Sequence, residues 1–91
     1  MKYFVDRNVL YRVWLGETYS IEAETYNEAI DKLIAATKEN GIDPIVNCDD
    51  IQQIDEIEYG EDMEPIEPKD NNGEYTLEIP DFKGKIVYTN A

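Results

Sequence analysis

The sequence contains no histidine, only one cysteine, and few cations to set against its acids: 8 Lys and Arg for 21 Asp and Glu. Without histidine the commonest general base and the commonest metal ligand are both missing. Cys48, the lone cysteine, cannot form a disulfide within these residues, so the bridged framework of a small secreted domain is excluded. With no histidine to activate it and no basic neighbour to lower its pKa, it reads as an inert thiol rather than a nucleophile. The first six residues show no charged n-region leading into an apolar run, and no signal peptide is expected. No apolar stretch approaches the roughly 20 residues of a membrane helix. These absences point to a cytoplasmic protein. Glycine-rich phosphate loops and basic stripes interleaved with aromatics are also lacking.

What is present is negative charge, unevenly placed. The 91 residues carry a net charge of −13. Residues 1–42 hold seven acids and five bases, residues 71–91 three acids and two bases, and residues 43–70 eleven acids and the single base Lys69. Such a surface repels anionic lipid and bare nucleic acid. Neither a membrane nor direct nucleic-acid contact is expected; the natural partner is a basic protein surface. A hydrophobic content of 42% suffices for one small core, so residues 1–91 are read as a single domain.

Periodicity divides that domain into a ββα unit over 9–41, an acidic strand and loop segment over 43–73, and a C-terminal hairpin over 74–89. Tyr11, Val13 and Leu15 alternate with Arg12 and Trp14 as a strand would. Gly16-Glu17 is expected to turn the chain into a second strand, where Tyr19, Ile21 and Ala23 form the apolar face. Thr25 and Glu28 fit a capping box. Tyr26, Ala29, Ile30, Leu33, Ile34 and Thr37 then recur at helical spacing, and Asn40-Gly41 followed by Pro44 ends the helix. A third strand is predicted from about Gln53 to Tyr59, after a helical turn at Asp49-Asp50. Tyr75, Leu77 and Ile79 alternate with Glu74, Thr76 and Glu78, Pro80 to Gly84 turns the chain, and Lys85 to Tyr88 returns it. The fold class is α+β: a ββαβ unit with one amphipathic helix on a small, mostly antiparallel sheet, plus the hairpin.

Asp49-Asp50 and Asp55-Glu56 are paired carboxylates, but an acid of raised pKa needs an apolar wall, and these lie in the most polar stretch. No catalytic role is assigned and no enzyme is expected. Asp70-Asn71-Asn72-Gly73 has the composition of a calcium loop. With Gly73 at the glycine position, Pro68 stands where the first aspartate belongs and the closing glutamate is missing. A turn held by Asx hydrogen bonds explains it better, and no metal or cofactor is expected. The acidic field is the strongest feature. Alternate residues of a strand lie about 6.6 Å apart, given a rise of about 3.3 Å per residue. Glu56 with Glu58, and Glu74 with Glu78, would space carboxylates near small multiples of the phosphate repeat. Asp49, Asp50, Asp55, Glu61, Asp62, Glu64 and Glu67 extend the row. Trp14, on the strand face opposite Tyr11 and Val13, is either a partner anchor or covered by the C-terminal hairpin.

The run Tyr11-Arg-Val-Trp-Leu-Gly-Glu-Thr-Tyr-Ser-Ile-Glu-Ala-Glu-Thr-Tyr-Asn-Glu-Ala-Ile-Asp-Lys-Leu, followed by Asn47-Cys-Asp-Asp-Ile, resembles the DpnD/PcfM-like small proteins of phages and mobile elements. The resemblance covers roughly residues 9–59 and carries no catalytic residues over. It implies a mobile-element setting, where acidic anti-restriction and anti-CRISPR inhibitors occur. The expectation is a non-catalytic inhibitor that uses its carboxylates as a nucleic-acid mimic against a host nucleic-acid-binding defence enzyme. The alternative is a small adaptor or self-associating regulatory protein working through the Trp14 face or a sheet edge. Its acidity would then serve only solubility, and homodimerisation is left open.

Overall fold

The computed structural model describes residues 1–43, 45, 50–54 and 64–91. Among them are five strands, one α-helix and a 3₁₀ turn: β1 (Lys2–Leu10), β2 (Trp14–Glu22), α1 (Tyr26–Asn40), β3 (Ile51–Gln53), the 3₁₀ turn Pro68–Asp70, β4 (Leu77–Pro80) and β5 (Ile86–Thr89). The strands form one antiparallel sheet in the order β3-β2-β1-β4-β5. The helix lies on one face of it. The α+β class with a C-terminal strand pair is therefore what the chain adopts.

The first hairpin is longer and earlier than expected. β1 pairs with β2 from Lys2↔Glu22 to Leu10↔Trp14. The turn is at Tyr11–Val13, where the Tyr11 amide donates to the Val13 carbonyl at 3.0 Å, so Gly16-Glu17 lies inside β2 rather than between strands. The reason is two buried ions. Tyr3, Val5, Arg7 and Val9 share the helix-facing side of β1, and Glu17, Tyr19 and Ile21 share that of β2, with Arg7 directly opposite Glu17. An arginine and a glutamate in these positions make two inward rows look interrupted. Gly16 is accommodated on the other face opposite Asn8, where an added Cβ would lie 3.4 Å from the Asn8 Oδ1.

The helix follows its local chemistry. The Thr25 Oγ1 accepts from the Glu28 amide at 3.1 Å, as a capping threonine does. Ala29, Ile30, Leu33, Ala36 and Thr37 are buried against the sheet. Gly41 closes the helix at φ +74°, a conformation that non-glycine residues rarely adopt, with its amide donating to the Thr37 carbonyl at 2.8 Å. Val5, Val9, Tyr11, Tyr19, Ile21, Ala23, Ile45, Ile51, Leu77 and Ile79 complete the core among the described residues.

β3 begins two residues before its expected start because Ile51 packs opposite Ile21. The predicted continuation to Tyr59 lies outside the described residues from Asp55 onward. The C-terminal hairpin joins the sheet itself: β4 pairs with β1 through Val9↔Leu77 and Asn8↔Glu78. It starts at Leu77 rather than at Glu74, since Thr76 is fully buried and Tyr75 is exposed, the reverse of the predicted alternation. Asn90 fixes this point. Its Oδ1 accepts from the amides of Thr76 and Leu77 at 2.9 and 3.0 Å, and its Nδ2 donates to the Thr76 Oγ1 at 2.9 Å. The turn at residues 68–73 is closed by backbone bonds, including Gly73 N–H to Pro68 at 2.9 Å. No helix among the described residues is long and apolar enough to cross a membrane.

Candidate interaction surface

The acids predicted to form a row are divided by the fold. Asp50, beside the start of β3, is held by the Lys32 Nζ at 3.1 Å, and the same ammonium is 3.5 Å from Glu28. The bond to Asp50 is the main cause of a raised Lys32 pKa. Asp50 thus lies against a cation of the chain's own. Glu78 is half-buried, and its Oε1 accepts from the Asn8 Nδ2 at 3.2 Å. Buried Thr76 lies between Glu74 and Glu78, so these two carboxylates do not form the evenly spaced outward pair expected. Glu64 and Glu67 are exposed and line one depression with Asp43 beside Asn40 and Gly41. This is the C-terminal end of α1, where the helix dipole is already negative, and among the described residues none of the three acids forms an ion pair. Asp49, Asp55, Glu56, Glu58, Glu61 and Asp62 lie outside the described residues. No group of three potential metal ligands converges among the described residues.

Trp14 and Glu74 come together through a residue the sequence reading had placed in the strand core. Trp14 opens β2 on the face away from the helix and is 44% exposed, and Tyr75 is 40% exposed beside it. Their ring centroids are 6.0 Å apart and inclined by 52°. With Leu10, Asn71, Gly73 and Glu74 they bound an open cleft of about 670 Å³. Trp14 is neither in the core nor covered by the C-terminal strands; it is half open on a sheet face.

The centre that sequence reasoning missed is internal. Arg7 and Glu17 are both fully buried, with Arg7 Nε donating to Glu17 Oε1 at 2.7 Å. The Tyr19 hydroxyl donates to the same oxygen at 2.9 Å and accepts from the Ile45 amide at 3.2 Å. The Arg7 guanidinium lies 5.6 Å from the Tyr19 ring centre. Its outer nitrogens reach the carbonyls of Asp43 at 2.9 Å, Gly41 at 3.4 Å and Ile42 at 3.5 Å, and the Thr37 Oγ1 at 3.4 Å. The cation therefore caps the negative end of α1 from beneath and ties residues 41–43 to the sheet, while the Tyr19 hydroxyl holds Ile45. The three side chains bond to one another, to the Thr37 hydroxyl and to the backbone, away from solvent, so the cluster is structural. The parity shared by Tyr3, Val5, Arg7 and Val9 could have revealed it.

Burial pushes the Tyr19 pKa well above its ordinary 10.0, the main opposing influence being Arg7. The folded state then keeps a proton that the unfolded chain releases, so stability is full below about pH 10 and falls as pH rises further. Alkaline denaturation followed by Trp14 fluorescence is expected to show this decline, and Tyr19→Phe should flatten it. An unchanged slope in the variant would assign the decline to other groups.

Comparison with known protein families, with curated proteins and with solved structures found no match to this chain.

Proposed function

We propose that this is a non-catalytic binding protein of phage or mobile-element type. Its carboxylate-rich surface would occupy the basic, nucleic-acid-binding groove of a host defence protein. The observation carrying the reading is the way the chain uses its own cations. Every lysine and arginine lies among the described residues. Arg7 is consumed inside the core, and Lys32 is shared by Glu28 and Asp50. Among the described residues Asp43, Glu64 and Glu67 form no ion pair and line one depression at one end of the molecule, and the sequence of residues 55–63 holds five acids and no base. A concentrated negative field of this kind accelerates encounter with a basic groove in a salt-dependent way.

A tagged pull-down from bacterial lysate tests this, run with and without excess duplex DNA or guide RNA. The nucleic acid and moderate salt should each displace the captured protein. The combined variant Glu56→Gln, Glu58→Gln, Glu61→Gln and Asp62→Asn should lower the association rate by about tenfold or more. Undiminished capture by that variant overturns the reading. A second reading, self-pairing or adaptor binding at a sheet edge, draws support from β5, one of the two edge strands, where Ile86 and Val87 are exposed. Neutralising the acids would leave that mode intact, so the same variant separates the two.

A further inference from the structure

We propose that the cleft bounded by Trp14, Tyr75 and Glu74 takes a guanidinium group, an arginine side chain presented by the basic partner. This rests on the reading above and names one contact its surface would make. Two partly exposed aromatic rings side by side offer π-faces of negative potential. The neighbouring Glu74 is exposed and adds a full negative charge to the same cleft. No cation among the described residues fills the site. Among the described residues, which include every lysine and arginine, no cation pairs with Glu74. The contacts between cations and rings among the described residues are instead Arg7 with Tyr19, Lys38 with Tyr88 and Lys83 with Phe82.

The site is also held in place. Trp14 pairs with Leu10 across the first hairpin, and the Leu10 amide donates to the Thr76 carbonyl at 2.8 Å, next to Tyr75. The Glu74 amide donates to the Asn71 carbonyl at 3.1 Å. Arginine suits such a place better than lysine: its flat cation stacks on a ring while its fork meets a carboxylate with two parallel bonds.

Trp14 is the only tryptophan, so its emission reports the cleft directly. A blocked Gly-Ser peptide bearing one arginine should change that emission saturably at low salt, and the lysine analogue should bind about fivefold more weakly. Glu74→Gln and Tyr75→Leu should each weaken the arginine peptide by about fivefold, while Asp31→Asn, an exposed acid on the helix, should not. Binding of a labelled arginine-rich peptide, read by anisotropy, is followed in parallel. If that peptide binds but Trp14 is silent, or Asp31→Asn weakens binding as much as Glu74→Gln, the cleft proposal fails and the general acidic surface stands. Equal emission changes with a norleucine peptide also overturn the guanidinium assignment, in favour of an apolar anchor. If neither peptide binds by either readout, both proposals fall.

Discussion

Replacing Glu17 with leucine is expected to destabilise the protein by about 3–5 kcal/mol, because it leaves the buried Arg7 cation without its carboxylate. That is a large part of the roughly 5–15 kcal/mol by which small domains are stable. The variant should unfold at far lower urea, with Trp14 fluorescence as the probe. Arg7→Met should be similarly damaging, since it strands the carboxylate and also removes the donor to the Asp43, Gly41 and Ile42 carbonyls. The double variant Arg7→Met, Glu17→Leu should recover part of the loss, the remainder being the buried Tyr19 hydroxyl, which loses its Glu17 acceptor at a cost of about 1–3 kcal/mol. Two apolar side chains of similar volume need no desolvation of charge, and replacing buried pairs in this way is often neutral or stabilising. The three carbonyls would then turn to water, being only partly buried. Single variants costing under about 1 kcal/mol would show that the pair is not the closed, desolvated interaction its geometry describes.

The same pair explains where the sequence was legible and where it was not. The helix could be read because each of its parts is local: Thr25 caps, Ala29, Ile30 and Leu33 recur at the right spacing, and Gly41 ends it. The C-terminal strands were legible for the same reason, with Leu77 and Ile79 inward and a turn held by the Asp81 carboxylate on the Lys83 and Lys85 amides. β1 was not. An arginine at an inward position is satisfied by Glu17 ten residues on, by the Thr37 hydroxyl thirty residues on and by carbonyls farther still, and no window of a few residues contains those partners. The turn assigned to Gly16-Glu17 failed with it, because Glu17 looks like a surface residue until Arg7 is opposite. Among the site residues, the concentration of acid in one segment was visible, but its geometry was not. Lys32 reaches Asp50 from a helix, and Tyr75 leaves the strand pattern to meet Trp14.

Asn90→Ala should cost about 2–4 kcal/mol. One side-chain oxygen there serves two amides, those of Thr76 and Leu77, and both residues are fully buried. A buried donor left unpaired costs about 1–3 kcal/mol, and alanine leaves two. Asn90→Asp separates this account from a loss of packing. It keeps an acceptor for both amides, and the Thr76 hydroxyl can rotate to donate to the new carboxylate, so aspartate should retain most of the stability. Amide hydrogen exchange gives the local reading: protection at Thr76 and Leu77 should collapse in the alanine variant and persist in the aspartate one. Equal loss in both variants would mean that Asn90 acts through its shape.

Strand order has a consequence for the time course of synthesis. β1 is the middle strand, with β2 on one side and β4 on the other. The first neighbour leaves the ribosome almost at once, but 22 residues lie between Ile54 and Leu77. At about 5–20 residues per second, the second neighbour follows a further 1–5 seconds later, whereas a hairpin closes in about 1–10 μs. A nascent chain holding β1, β2, α1 and β3 therefore waits, on a molecular clock, with the hydrogen-bonding row of its central strand open to any passing strand. The acidic run emerging during that interval gives the waiting intermediate like charge against its own kind.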